Sequence, residues 1–251
     1  MIKYTEEQKE LLRYFSSKIE FNKNLNTWFF SSYTAALRDA RLITGRSLLT
    51  GKPKKNIGKQ LNIKNPLGCW AGALVYLVLI DHIGKFFRNK NPTRIIKDKN
   101  DNEIDTPFIK GLSDFSFLSE DEIRALYGLR CAFAHNYGLY NNEDAGDTNK
   151  KNIHFFELSI SQPSNKIIKL PNKPWDGKDF SDNKKNFITE INIKLLGDLV
   201  EDMHFKLKDL VKKNGLEINK SLRGKSFMDN DNELFNRNKI MVYPKVISFT
   251  P

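Results

Sequence analysis

Arg130 and His135 are the residues whose types and setting point most directly at chemistry. They punctuate Leu129-Arg130-Cys131-Ala132-Phe133-Ala134-His135-Asn136, an otherwise apolar stretch that precedes Tyr137 and Gly138. Arginine is a permanent cation with a planar fork of donors, and histidine exchanges protons near neutral pH, so the two types together suit acid–base work beside an anion. A guanidinium on an apolar helix must be paired or face a cleft. Two readings stand side by side. Either Arg130 pairs with Glu122 or Asp121 and His135 simply ends the helix, where the macrodipole favours cations, or both line a site.

Other chemistry-bearing patterns fail on spacing. Between Gly45 and Gly51-Lys52 lie five residues where a phosphate-binding loop has four, and Pro53 stands where a magnesium-binding Ser or Thr belongs. His82, His135, His154 and His204 show no ligand spacing, so no metal or cofactor is expected, and His82 and His204 read as ordinary core or surface residues. The Asn/Asp-rich turn at 98–103 has Glu103 where a calcium loop needs Gly, and it lacks the downstream Glu. Cys69 and Cys131 read as buried thiols in a reducing compartment.

The second candidate surface is electrostatic. The chain has 251 residues with 41 Lys and Arg against 30 Asp and Glu, a formal charge of +11. Between residues 41 and 97 stand Arg41, Arg46, Lys52, Lys54, Lys55, Lys59, Lys64, Lys85, Arg88, Lys90, Arg94 and Lys97, with Asp81 as the one acid. That stretch alone therefore carries the whole excess. Its densest part, residues 50–65, contains Gly51, Pro53 and Gly58 and reads as a basic loop that either contacts phosphates or serves solubility.

Helices must position these groups. Thr5 with Gln8 forms a capping box before Leu11, Leu12, Phe15 and Ile19, which predicts a helix over 5–22. Asn26 is expected to cap a second helix running to Leu48, with Gly51-Lys52-Pro53 as its stop. Residues 67–89 are apolar nearly all round and suit the centre of a bundle. Ser119 with Glu122 opens a helix to about His135, and Leu195 to Val211 give a last long one closed by Asn214-Gly215. Residues 153–161 and 166–170 read as a hairpin about Gln162-Pro163-Ser164-Asn165, with 187–193 as a third extended piece. The expected fold is mainly α, one domain over 1–251: a helical core at 5–214, a small β-hairpin insertion at 153–170 and a polar tail from 215 whose Ile240-Met241-Val242-Tyr243 packs as an edge. The N-terminus has no signal-peptide pattern and no apolar run is long enough for a bilayer, so a cytoplasmic protein without a membrane partner is expected.

Arg130, four intervening residues and His135 match the R-x4-6-H motif of HEPN domains, and the chain resembles that family in helix order as well. The resemblance implies a HEPN-like helical bundle and a metal-independent endoribonuclease, of the kind that acts as a toxin or phage-defence effector and can have an antitoxin protein as partner. It implies attack of a ribose 2′-oxygen on the neighbouring phosphate, with His135 as general acid/base and Arg130 as phosphate clamp. Asn136 orients the phosphate or caps the helix, and Tyr137 and Tyr140 stack a base or simply pack. RNA would be gathered by Arg41, Arg46, Lys52, Lys54, Lys55, Lys59 and Lys64. Cys131 stands where many active members carry Asn, Asp or His, which keeps a non-catalytic nucleotide- or RNA-binding module as the alternative. On an ideal helix Arg130 and His135 lie about 140° apart. Either the helix loosens at Ala134-His135 or a homodimer brings two motifs to one cleft, and the resemblance favours the dimer.

Overall fold

The computed structural model describes residues 3–16, 20–22, 27–29, 31–54, 70–92, 94–98, 100–136, 138–141, 153–159, 165–178, 186–218 and 243–244. Helix α1 (Glu6–Tyr14) opens on the expected capping box: Gln8 N–H donates to Thr5 Oγ1 at 3.2 Å and Thr5 N–H to Gln8 Oε1 at 2.9 Å. It ends well before residue 22. The chain instead enters β1 (Glu20–Asn22) and β2 (Thr27–Phe29), an antiparallel pair extended by β9 (Tyr243–Pro244), so Tyr243 does form an edge. Thr27-Trp28-Phe29 is a β-branched and aromatic run that favours a strand over the predicted start of the second helix. Ser31, not Asn26, caps α2 (Ser32–Ile43) by accepting the Thr34 N–H at 3.0 Å.

The central helix is α3 (Trp70–Phe86), which packs against α2, α4 (Pro107–Phe115), α5 (Glu120–Asn136) and α6 (Ile193–Lys212). Its crossing with α4 brings backbones together: a Cβ on Gly84 would run into the Pro107 carbonyl and the Gly111 amide. The expected helix to residue 89 stops earlier, because Phe87–Asn89 becomes β3 and pairs antiparallel with β8 (Leu216–Ile218). The start of the predicted tail is thereby part of the folded core. Helix α5 begins as predicted, with Ser119 N–H donating to Glu122 Oε2 at 2.7 Å and Glu122 N–H to Ser119 Oγ at 3.4 Å.

The expected hairpin is corrected. Strands β4 (Tyr140–Asn141), β5 (His154–Ser159), β6 (Ile168–Lys169) and β7 (Ile188–Asn192) form one sheet in the order β4-β5-β7-β6. Strand β7 lies between β5 and β6, parallel to the first and antiparallel to the second. Its Ile191 is fully buried with Phe156 and Ile168 in the same core cluster as the helices, and Asn192 caps α6 by accepting the Leu195 N–H at 3.1 Å. The sheet thus supplies core surface and launches a core helix. Among the described residues there are six helices and three sheets, so the fold is an α/β mixture, not a mainly α, HEPN-like bundle with a hairpin insertion. One contiguous core reaches from Leu11 to Ile218, and among the described residues no helix is long and apolar enough to cross a membrane.

Candidate functional site

Helix α5 buries Ile123, Leu126, Leu129 and Phe133, while Gly128 leaves room for the sheet, where a Cβ would meet Asn141 and His154 at 3.4 Å. Held on that side by the sheet, α5 also faces α3. Arg130 reaches across to Asp81 of α3, donating from Nε at 3.1 Å and from Nη2 at 2.5 Å to the same Oδ2. Its partner is neither Asp121 nor Glu122: Glu122 is engaged with Ser119 at the start of the helix. The two side chains are 31% and 24% exposed, so the pair is reached by solvent, and Cys131 also neighbours the guanidinium. Burial opposes the Arg130 charge, but the hydrogen bonds and charge of Asp81 outweigh it and raise the pKa. Cys131 is half-buried, not the interior thiol expected, and it borders both Arg130 and Tyr127, whose phenol is pushed up chiefly by burial and then by Cys131. Cys69 lies outside the described residues.

His135 and Asn136 occupy the last turn of α5, placed here by their backbone. The helix continues unbroken through both, and its end is closed by the Gly138 N–H on the Ala132 carbonyl at 3.2 Å. Loosening at Ala134-His135 is therefore not how one chain brings the pair together, and about 140° of helix rotation separates them. Tyr137 lies outside the described residues. Tyr140 sits on β4, 42% exposed, with its ring edge-on to Trp175 at 6.4 Å.

The basic segment looks different once folded. Arg41 is completely buried and donates from Nε and Nη2 to Glu201 at 2.8 and 2.6 Å, and Arg46, 2% exposed, binds Asp198 at 2.7 Å. Neither offers a cation to a ligand, which corrects their assignment as RNA contacts. Arg88 pairs with Asp114 and Lys97 with Asp101, so acids from beyond residue 97 neutralise a good part of the local excess. Lys52 and Lys54 are exposed, whereas Lys55, Lys59 and Lys64 lie outside the described residues.

Two histidines, His154 and His204, are buried, and a third, His82, is half-buried against the core. His82 Nε2 meets the Tyr14 hydroxyl at 2.7 Å, His204 Nδ1 the Tyr33 hydroxyl at 3.2 Å and His154 Nδ1 the Thr189 hydroxyl at 2.9 Å. Burial, reinforced by Lys85, holds the His82 pKa down to about 4. Burial, then Arg41 and Lys208, holds His204 at about 3. Both are neutral at physiological pH and serve as hydrogen-bonding core residues. Asp81 is the participant that sequence reasoning missed, although a lone acid on an apolar helix was a signal that a cation had to face it. No protein family, curated protein or solved structure matches the chain.

Proposed function

We propose that this chain is a metal-independent endoribonuclease acting in the cytoplasm, with Arg130 as the phosphate clamp and His135 as the proton-transfer group. The observation that carries the reading is the state of Arg130. Asp81 grips the Nε and Nη2 edge of its guanidinium while the side chain stays 31% exposed, so the fork is oriented before an anion arrives. The likeness to HEPN proteins now rests on the Arg130–His135 motif, since the helical-bundle expectation is corrected. In the reaction the 2′-hydroxyl gives up its proton, O2′ bonds to the adjacent phosphorus and the bond to O5′ breaks. The proton returns to O5′, leaving a 2′,3′-cyclic phosphate and a 5′-hydroxyl. His135 moves that proton and Arg130 offsets the charge that develops on the phosphorane.

The angular separation of the pair within α5 supports a homodimer in which the Arg130 of one copy works with the His135 of the other. A specific observation favours a second reading, a non-catalytic RNA- or nucleotide-binding module: Arg130 already has a carboxylate partner, as a purely structural arginine would.

The test uses purified full chain and mixed RNA in EDTA. Wild type cleaves to cyclic-phosphate ends, whereas Arg130→Ala and His135→Ala do not. Mixing the two inactive variants restores about a quarter of wild-type activity if each site takes one residue from each copy, because half the dimers are mixed and hold one intact pair. RNA binding without product selects the second reading, and cleavage by His135→Ala at the wild-type rate removes the catalytic assignment.

A further inference from the structure

Residues 44–54 form a closed loop after α2. Ser47 N–H donates to the Lys52 carbonyl at 2.8 Å, Gly51 N–H to Ser47 at 2.8 Å and Lys54 N–H to Gly45 at 3.0 Å. Two buried arginines then fasten the loop to α6. Arg41, besides its two bonds to Glu201, donates to the Leu48 carbonyl at 2.7 Å. Arg46 binds Asp198, the Gly51 carbonyl at 3.0 Å and the Lys194 carbonyl at 2.7 Å. Gly51, at φ 69°, lies so close to Glu201 that a Cβ would collide with the carboxylate.

Taking Arg41, Glu201 and Arg46 out of water carries a desolvation penalty that only close pairing and further hydrogen bonds repay. A loop that only improves solubility has no use for such a device. The four clamp charges cancel, and what the loop presents to solvent is Lys52 and Lys54, neither with a carboxylate partner among the described residues. Lysines on a loop already fixed lose less conformational freedom on binding than lysines on a mobile one.

We propose that Arg41–Glu201 and Arg46–Asp198 are positioning pairs that hold loop 44–54 so that Lys52 and Lys54 engage the phosphates of an RNA backbone. The identity of that polyanion rests on the ribonuclease reading; the clamp does not. The two arginines that the sequence placed at the RNA surface act behind it, by fixing the lysines that do reach it.

The test measures binding of the full chain to a 2′-O-methyl RNA, which cannot be cut by 2′-hydroxyl attack, over a salt series. Lys52→Ala/Lys54→Ala, two changes at exposed positions, lowers the slope of log affinity against log salt by about 1.4 and weakens binding roughly tenfold at low salt. Gly51→Ala alters no charge but pushes the loop off Glu201. It weakens binding to a similar extent, and adding the two lysine changes in that background costs less than a further twofold. Wild-type affinity and slope in the lysine variant overturn the proposal, as does a Gly51→Ala protein that loses thermal stability yet binds RNA unchanged. Failure of the wild type to bind overturns it too. Cleavage of unmodified RNA is scored separately. Binding with the expected slopes but no cleavage sinks the ribonuclease reading alone, and cleavage with all variants binding alike sinks the loop assignment alone.

Discussion

Removing the Glu201 carboxylate is expected to damage the fold far more than removing a surface charge. Arg41 is 0% exposed and its Nε and Nη2 both end on that carboxylate, so Glu201→Ala leaves a guanidinium that is buried, charged and without its counter-ion. With charge centres about 4 Å apart and an effective dielectric near 20, the lost attraction is about 4 kcal/mol, and breaking buried pairs from one side generally costs about 3–5 kcal/mol. For a chain of this size each kcal/mol moves the melting temperature by about 2–4 °C, so a fall of roughly 6–20 °C is expected by calorimetry. Urea unfolding should show the same loss as a shifted midpoint at unchanged slope. The double variant Arg41→Met/Glu201→Leu provides the internal control, since replacing both charges with apolar groups of similar size removes the orphan. It should be more stable than Glu201→Ala, although it forfeits the Arg41 bond to Leu48. A Glu201→Ala loss below about 1 kcal/mol, or a double variant less stable than the single one, would refute the view that this pair is an interior ion pair holding the loop.

Acid should weaken the fold through its histidines. Folded His82 and His204 resist protonation down to about pH 4 and about pH 3, whereas an unfolded histidine takes a proton near 6.5. Below that point the unfolded state binds more protons, so stability falls with decreasing pH by up to about 1.4 kcal/mol per unit for each histidine. Urea midpoints from pH 7 to 5 check this, and His82→Gln should flatten the slope; an unchanged slope counts against burial as the cause. At the α3–α4 crossing, Gly84→Ala sets a methyl against the Pro107 carbonyl and the Gly111 amide, both backbone atoms that cannot swing away. A loss of about 3 kcal/mol or outright failure to fold is expected, and a well-folded variant within about 1 kcal/mol of wild type would show that the helices separate easily.

Local instructions were legible where the responding groups are neighbours in sequence. Thr5 with Gln8 and Ser119 with Glu122 make the capping contacts that their spacing implies, and α6 ends at Lys212 with Asn214 at φ 56° as its stop. The 98–103 turn is held by Asp98, whose carboxylate accepts the Asn100 and Asn102 amides at 2.8 and 2.9 Å. Helix α4 was readable but unread, since Pro107 suits a first helical position and Phe108, Ile109, Leu112 and Phe115 follow at helical spacing. What local pattern could not supply was pairing at distance. Asp81 and Arg130 are 49 residues apart and Arg41 and Glu201 are 160, and β7 enters between β5 and β6, where its Ile191 is fully buried. A buried strand of five residues carries too short a pattern to announce which neighbours it will take.

The charge distribution shows what this distance blindness does to a functional inference. Net charge is a sum that folding does not alter, and +11 still draws polyanions toward the molecule over a Debye length. Contact is another matter, because a phosphate meets only charges that remain exposed and unpaired. In sequence, residues 41–97 hold the entire excess. In the fold, Glu201, Asp198, Asp114 and Asp101 reach in to four of those bases, while the segment's one acid, Asp81, reaches out to Arg130. The exchange leaves Lys52 and Lys54 exposed on a clamped loop and Arg130 partly exposed on α5. Attraction and contact are thus carried by different residues, and the buried arginines belong to neither group: they shape the surface that makes contact. Substituting a charge in this protein therefore tests its place in the fold before it tests its sign.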